Sequence, residues 1–114
     1  MAFSADYSTL PEIQAAWQRW MHRTDIAADQ DQITKFAFGR VEADALRKIG
    51  PDETEEEWVT WYGEALFHAG MIYLQELVRD SEGVQMEQAL YGNIMQAAVL
   101  QYSIYYVDPT MKRA

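Results

Sequence analysis

Cysteine is missing from this chain of 114 residues. Its absence excludes disulfide bridges, thiolate zinc sites and cysteine nucleophiles, and it fits a reducing compartment. The chain also lacks segments in which apolar and polar residues alternate between glycine-rich hairpin turns. A fold built on β-strands is therefore not expected.

Basic residues are few, with nine Lys and Arg against 18 Asp and Glu and a net charge of −9. No basic patch interleaved with aromatic residues occurs, so attraction to nucleic acid phosphates is disfavoured. The acidic excess lies between residues 51 and 87, where ten acids stand against Arg79. We predict that a group of acids in this segment faces solvent or a channel: Asp52, Glu53, Glu55, Glu56 and Glu57.

Two segments bear on location. The first residues, MAFSADYSTLPEIQ, have neither a basic region nor an apolar core, so we expect no signal peptide and residence in a cytoplasm. Residues 88–107 carry no charge, but their several amide side chains would be costly in hydrocarbon. We interpret them as a helix buried in protein, and we expect no membrane partner.

Helical patterns account for most of the chain. Apolar residues recur at helical spacing in four segments, which we place at about 10–22, 29–49, 53–79 and 84–106. Ser8 or Thr9 can cap the first helix, while Gly50-Pro51 and Asp108-Pro109 mark ends. The sequence predicts one all-α domain over residues 1–114, a four-helix bundle with short loops and short extended termini.

The third and fourth helices each carry two apolar stripes. One stripe of the fourth helix contains Met86, Leu90, Ile94, Ala97, Ala98, Ile104 and Tyr105. The second stripes of the two helices are Phe67, Met71, Leu74, Val78, Tyr91, Met95, Val99, Tyr102 and Tyr106. A small bundle needs about one stripe per helix, so we predict that the second stripes face another subunit. The alternative is that two central helices are covered on both sides by their own chain.

Catalytic patterns are not apparent. His68 follows Glu64 by four residues, but a carboxylate-bridged di-metal bundle requires Glu-x-x-His, and Phe67 occupies that position. A nucleophile elbow and a glycine-rich phosphate loop are also missing. We predict no enzyme activity, metal or cofactor, and a structural His68 that bonds to Glu64 or Gln75.

The chain resembles the small helical head-to-tail connector proteins, or portal adaptors, of tailed bacteriophages. The resemblance rests on TKFAFGRVEADALRKIG in the second helix and EALFHAGMIYLQELVRD in the third, and it covers roughly residues 25–107. In that family a helix ends with an acidic residue that is followed, after two or three residues, by Leu. The corresponding residues here are Glu42, Asp44 and Leu46. A long helix rich in Ala and aromatic residues then follows.

The resemblance implies a virion protein of the phage neck, made in the cytoplasm of the bacterial host. Such subunits form a ring, commonly of about twelve copies, that binds the portal and the tail or nozzle proteins while DNA passes through its centre without specific binding. The segment VDPTMKRA after the last helix is shorter than the arm with which some members grip the portal. We therefore assign portal or tail contact to both ends of the chain: Phe3, Tyr7, Lys112 and Arg113.

A second hypothesis comes from the charge. A soluble acidic protein that imitates DNA would occupy a basic cleft of its target. It would spread carboxylates along one elongated face, whereas here they bunch at the start of one helix. A third hypothesis is another structural protein of a phage tail or neck.

Overall fold

The computed structural model describes residues 9–45 and 55–102, with the side chains of 58–101 in the second range. It contains four helices, α1 (Leu10–Thr24), α2 (Gln30–Asp44), α3 (Glu55–Leu77) and α4 (Ser81–Tyr102), and these two ranges include no strand. The prediction of an all-α four-helix bundle is confirmed. The expected extended termini lie outside the described residues.

Local capping explains where the first two helices begin. The hydroxyl oxygen of Thr9 accepts a hydrogen bond from the backbone N–H of Glu12 at 3.3 Å, and Pro11 lies in the first turn. Asp29 caps α2 by accepting from the backbone N–H of Asp31 at 3.0 Å. Thr9 is one of the two residues that the sequence offered as a cap for α1.

Within the described ranges, the observed helix boundaries differ most from the predicted ones at the end of α2 and at the start of α4. The α2 helix ends at Asp44, where the sequence suggested Ile49, and residues 46–49 are outside the described ranges. The α4 helix begins at Ser81 rather than Val84, because the Asp80 carboxylate accepts a bond from the N–H of Gly83 at 3.0 Å. The DSEG segment is thus a capped first helical turn.

The turn between α3 and α4 has the geometry of a Schellman cap. Arg79 adopts the left-handed conformation with φ of 60°. The N–H of Asp80 donates to the Gln75 carbonyl and the N–H of Arg79 to the Glu76 carbonyl, each at 3.1 Å. This cap satisfies carbonyl groups at the end of α3 and reverses the chain within three residues, so that α4 returns alongside α3.

The α3 helix is kinked at Tyr62, where φ is −125° and ψ is 21°. The sequence predicted an uninterrupted helix over 53–79, so this kink is a departure from it. The Trp58 and Tyr62 rings lie 5.1 Å apart across the kink, and both side chains are buried. The bend thus occurs where two large rings pack together in the core.

α3 is the central helix and packs against each of the other three, which contact one another far less. It therefore buries apolar residues around most of its circumference, including Leu66, Ile72 and Leu74, which are fully buried. The surrounding helices contribute one buried stripe each. The stripes of α1 and α2 consist of Ile13, Trp17, Met21, Ile33, Ala37, Phe38 and Val41.

Trp17 joins α1 to α3 through a close contact. Its side chain is fully buried, and its indole N–H donates a hydrogen bond to the Phe67 carbonyl oxygen at 3.0 Å. The ring lies directly over Gly70, and a Cβ atom at that position would collide with the indole. Glycine is required here because α3 must offer a flat surface to a large aromatic ring.

We predict that Gly70→Ala destabilises the fold by about 1–3 kcal/mol or more, since the added methyl group displaces Trp17 from a packed core. Gly92→Ala is the matched control, because Gly92 lies exposed in the interior of α4 and a Cβ atom added there would meet no atom within 4 Å. That change should stabilise the protein by about 0.5–1 kcal/mol through helix propensity. Urea unfolding followed by circular dichroism measures both, and equal effects of the two changes would contradict the packing argument.

We also predict that Arg79→Gly stabilises the protein by about 0.5–1 kcal/mol. A residue with a Cβ atom costs about 1–2 kcal/mol in the left-handed conformation. Glycine avoids this cost, but it loses more backbone entropy on folding, which offsets part of the gain. Arg79→Ala, which removes the charge and keeps the Cβ, should bring no such gain. Thermal unfolding of the two variants separates the effect of conformation from that of charge.

Candidate functional site

The α4 helix has a single buried stripe facing the rest of the chain. Tyr91, Met95 and Ala98 are buried there, and Val84, Ile94 and Val99 are partly buried. Most of the other side chains between residues 81 and 101 are exposed. The α4 helix is therefore attached to the bundle along one line and open to solvent on its remaining surface.

The open surface of α4 carries large apolar side chains. Met86 is 67% exposed, Leu100 62% and Leu90 44%. Asn93 and Ala97 are exposed among them, and residues 88–101 include no charged side chain. We call the set of Met86, Leu90, Asn93, Ala97 and Leu100 the exposed face of α4. Apolar residues gathered on one uncharged helical surface are typical of an interaction site.

The structure corrects the predicted subunit interface. Met71, Leu74, Tyr91 and Met95 are between 0% and 5% exposed within the single chain, so they belong to its own core. The prediction took each helix to face the core from one side, but α3 is surrounded and needs both of its stripes. The alternative of coverage by the same chain holds for these four residues.

The surplus apolar surface is consequently on the opposite side of α4 from the one predicted. The sequence places Met86, Leu90 and Ala97 in the stripe expected to face the chain's own bundle. They are exposed, while Tyr91 and Met95 of the other stripe are buried. Leu100 belongs to neither predicted stripe. When a helix has two apolar stripes, its sequence alone does not show which stripe faces the core, because that depends on contacts with distant segments.

For the other predicted site residues, the structure does not distinguish a place in the core from a place in an interface. Phe67, Val78 and Val99 are partly buried. Glu55, Glu56 and Glu57 form the start of α3, but their side chains are outside the described part, as is that of Tyr102. The remaining positions are also outside the described residues, and their roles stay predictions: Phe3, Tyr7, Asp52, Glu53, Tyr106, Lys112 and Arg113.

A polar cluster connects α2 to α4. The Tyr91 hydroxyl donates to the Asp44 carboxylate at 2.6 Å, and Arg40 Nε donates to the same oxygen at 3.1 Å. The Arg40 guanidinium lies 4.9 Å from the centre of the Tyr91 ring. These contacts line one end of a surface groove of about 420 Å³ between the two helices.

The electrostatics of this cluster favour a neutral Tyr91. Burial raises its pKa well above the ordinary value, and the hydrogen bond to the Asp44 carboxylate and the charge of that group act in the same direction. A phenol held in its protonated form is a hydrogen-bond donor over the whole physiological range. Tyr91 is therefore a structural anchor of α4.

His68 connects α3 to α4. Its Nδ1 atom is hydrogen-bonded to Glu87 Oε1, and both side chains are only 14% exposed. The predicted partners Glu64 and Gln75 were wrong, because His68 faces α4 and meets an acid 19 residues further along the chain. Within residues 9–45 and 55–102, no group of three potential ligands could hold a metal ion.

Across the same two ranges, no helix combines the length and the apolar character that crossing a membrane requires. Comparisons with known proteins found no matching family model, no matching curated protein and no matching solved structure. The contacts and exposure of the chain's own residues are consequently the basis for assigning a function.

We predict that Tyr91→Phe lowers the stability at pH 7 by about 1 kcal/mol through loss of the bond to Asp44. The raised pKa adds a pH dependence. Folded Tyr91 keeps its proton where the unfolded chain begins to lose it, so its contribution is complete below about pH 10 and decreases as the pH rises further. The stability of the wild type should thus fall more steeply above pH 10 than that of the variant, as denaturant unfolding at several pH values will measure. Parallel curves would contradict the assignment.

Proposed function

We propose that the chain is a structural subunit of a head-to-tail adaptor ring in a tailed bacteriophage. In this role, copies of the chain assemble between the portal and the tail in the neck of the virion, and DNA passes through the ring. The sequence resemblance suggested this function, and the proposal assigns the chain no catalytic step.

The exposed face of α4 is the observation that carries the proposal. An apolar side chain left in water forgoes about 1.5–3 kcal/mol of stabilisation that burial would give, and three large ones share this face. The bundle has a complete core without them, centred on α3. A surface of this kind suits a subunit whose stable form is an assembly.

Charge supports the same function. With a net charge of −9, the chain has little electrostatic attraction for phosphate groups. A channel that DNA must traverse benefits from a wall to which the duplex does not adhere. The positive charges that a DNA-binding protein would gather on one surface are scarce between residues 55 and 102, where Arg79 is the single Lys or Arg.

Polar groups that could suggest catalysis are engaged in holding the fold together. His68 is bonded to Glu87, and Tyr91 is bonded to Asp44. Both pairs fix α4 to a neighbouring helix. Their geometry supports a structural protein with a defined surface, in which α4 is presented at a constant orientation.

Mixing the purified chain with an assembled portal protein tests the proposal. We expect a complex whose mass, measured by light scattering and by imaging of single particles, corresponds to one portal plus a ring of adaptor copies. Leu90→Glu/Leu100→Glu should prevent this complex, because it places charges on the exposed face of α4. Gln85→Glu/Gln88→Glu adds the same charge to exposed positions on another side of α4 and should leave the complex intact.

A chain that remains separate from portals of tailed bacteriophages under all conditions of salt and concentration would contradict the proposed function. So would a complex that forms equally well with both double variants.

A further inference from the structure

The exposed face of α4 has the spacing of a coiled-coil seam. Its residues follow one another at intervals of four, three, four and three: Met86, Leu90, Asn93, Ala97 and Leu100. This alternation is the a and d pattern with which one helix packs against a second. In the sequence the same spacing continues to Ile104 and Val107. The pattern therefore indicates that the occupant of this face is a helix.

Charge limits which helix can cover the exposed face of α4. Two copies of a chain with net charge −9 repel one another when acidic surfaces approach. Residues 88–101 of α4 carry no charge, so this part of the helix offers a surface on which a second copy meets no like charge from α4. Among the described residues, the large exposed apolar side chains are Leu77, Met86, Leu90 and Leu100, and three of the four are on this face. The best apolar complement on a second copy is thus the same face.

Asn93 supplies self-recognition. A side-chain amide both donates and accepts hydrogen bonds, so two asparagines that meet across a helix pair can bond to each other. Asn93 lies seven residues after Met86 and seven before Leu100, at the middle of the face. The step of four residues from Asn93 to Ala97 places Asn93 at a d position, where a buried amide is costly unless the amide of the second copy bonds to it.

We propose that the free chain forms a two-fold dimer in which α4 of one copy packs along α4 of the other, with Asn93 opposite Asn93. This inference rests on the proposed function only in taking α4 as an assembly surface. A two-fold contact is closed, whereas a ring grows through two different surfaces of each subunit. The dimer is accordingly a form of the free chain that covers its apolar face before a portal is met.

Sedimentation equilibrium of matched variants tests the contact. Leu90→Glu/Leu100→Glu should weaken dimerisation by more than about a hundredfold, because four buried leucines are lost per dimer. Gln85→Glu/Gln88→Glu should change it little. Helicity measured on both variants separates loss of association from loss of folding. A wild-type chain that is monomeric at millimolar concentration would overturn the proposal, and so would equal effects of the two double variants.

Cysteine cross-linking tests the register, because the chain has no cysteine of its own. Asn93→Cys should form a disulfide-linked dimer under mild oxidation, while Gln88→Cys, exposed on another side of α4, should not. Met86→Cys should link to itself in a parallel pair, and to Leu100→Cys in an antiparallel pair. Failure of Asn93→Cys to cross-link faster than Gln88→Cys would exclude the proposed contact.

The two proposals fail separately. A dimer that cross-links through position 93 but never joins a portal leaves the α4 pair established and removes the adaptor function. A monomeric chain that joins a portal does the opposite. Asn93→Leu provides a further check, since an apolar residue at this d position should tighten association. Unchanged affinity in this variant would place Asn93 outside the contact.

Discussion

The packing of the Trp17 ring on Gly70 determines how the bundle is arranged. A fully buried indole needs both a flat surface and an acceptor for its N–H, and α3 provides them within one turn, at Gly70 and at the Phe67 carbonyl. This contact holds α1 on one side of α3. Because α1 occupies that side, α2 and α4 pack on the remaining circumference, and α3 becomes the helix that all others share.

The central position of α3 explains why its apolar residues are buried on both sides of the helix while part of the apolar surface of α4 is exposed. A surrounded helix requires apolar residues on nearly every side, so the two stripes of α3 serve one core. A peripheral helix requires only one stripe, so Met86, Leu90 and Ala97 of the other apolar stripe of α4 remain in solvent. The same sequence feature, a doubled apolar pattern, thus has different meanings in two neighbouring helices. The difference comes from their positions in the bundle.

The sequence predicted the features that depend on interactions between residues close together in the chain. Helical spacing indicated four helices, and Thr9 and Asp29 cap the first two because a side-chain oxygen satisfies amides only two or three residues away. It could not predict contacts between distant segments, such as Tyr91 with Asp44, which are 47 residues apart. The exposed face of α4 was missed for this reason, although its spacing of four and three was visible. The spacing of Arg40 and Asp44 by four was also visible, and it could have suggested their ion pair.

Attachment of α4 along a single stripe has a dynamic consequence. Proteins open locally where few apolar contacts hold an element in place, and amide hydrogen exchange reports these openings. We expect the backbone amides of α4 to exchange with solvent sooner than those of α3, which is packed against three neighbouring helices. Covering the exposed face closes the second side of α4 and slows this exchange. The rate of amide hydrogen exchange in α4 therefore reports whether a partner covers the exposed face of α4.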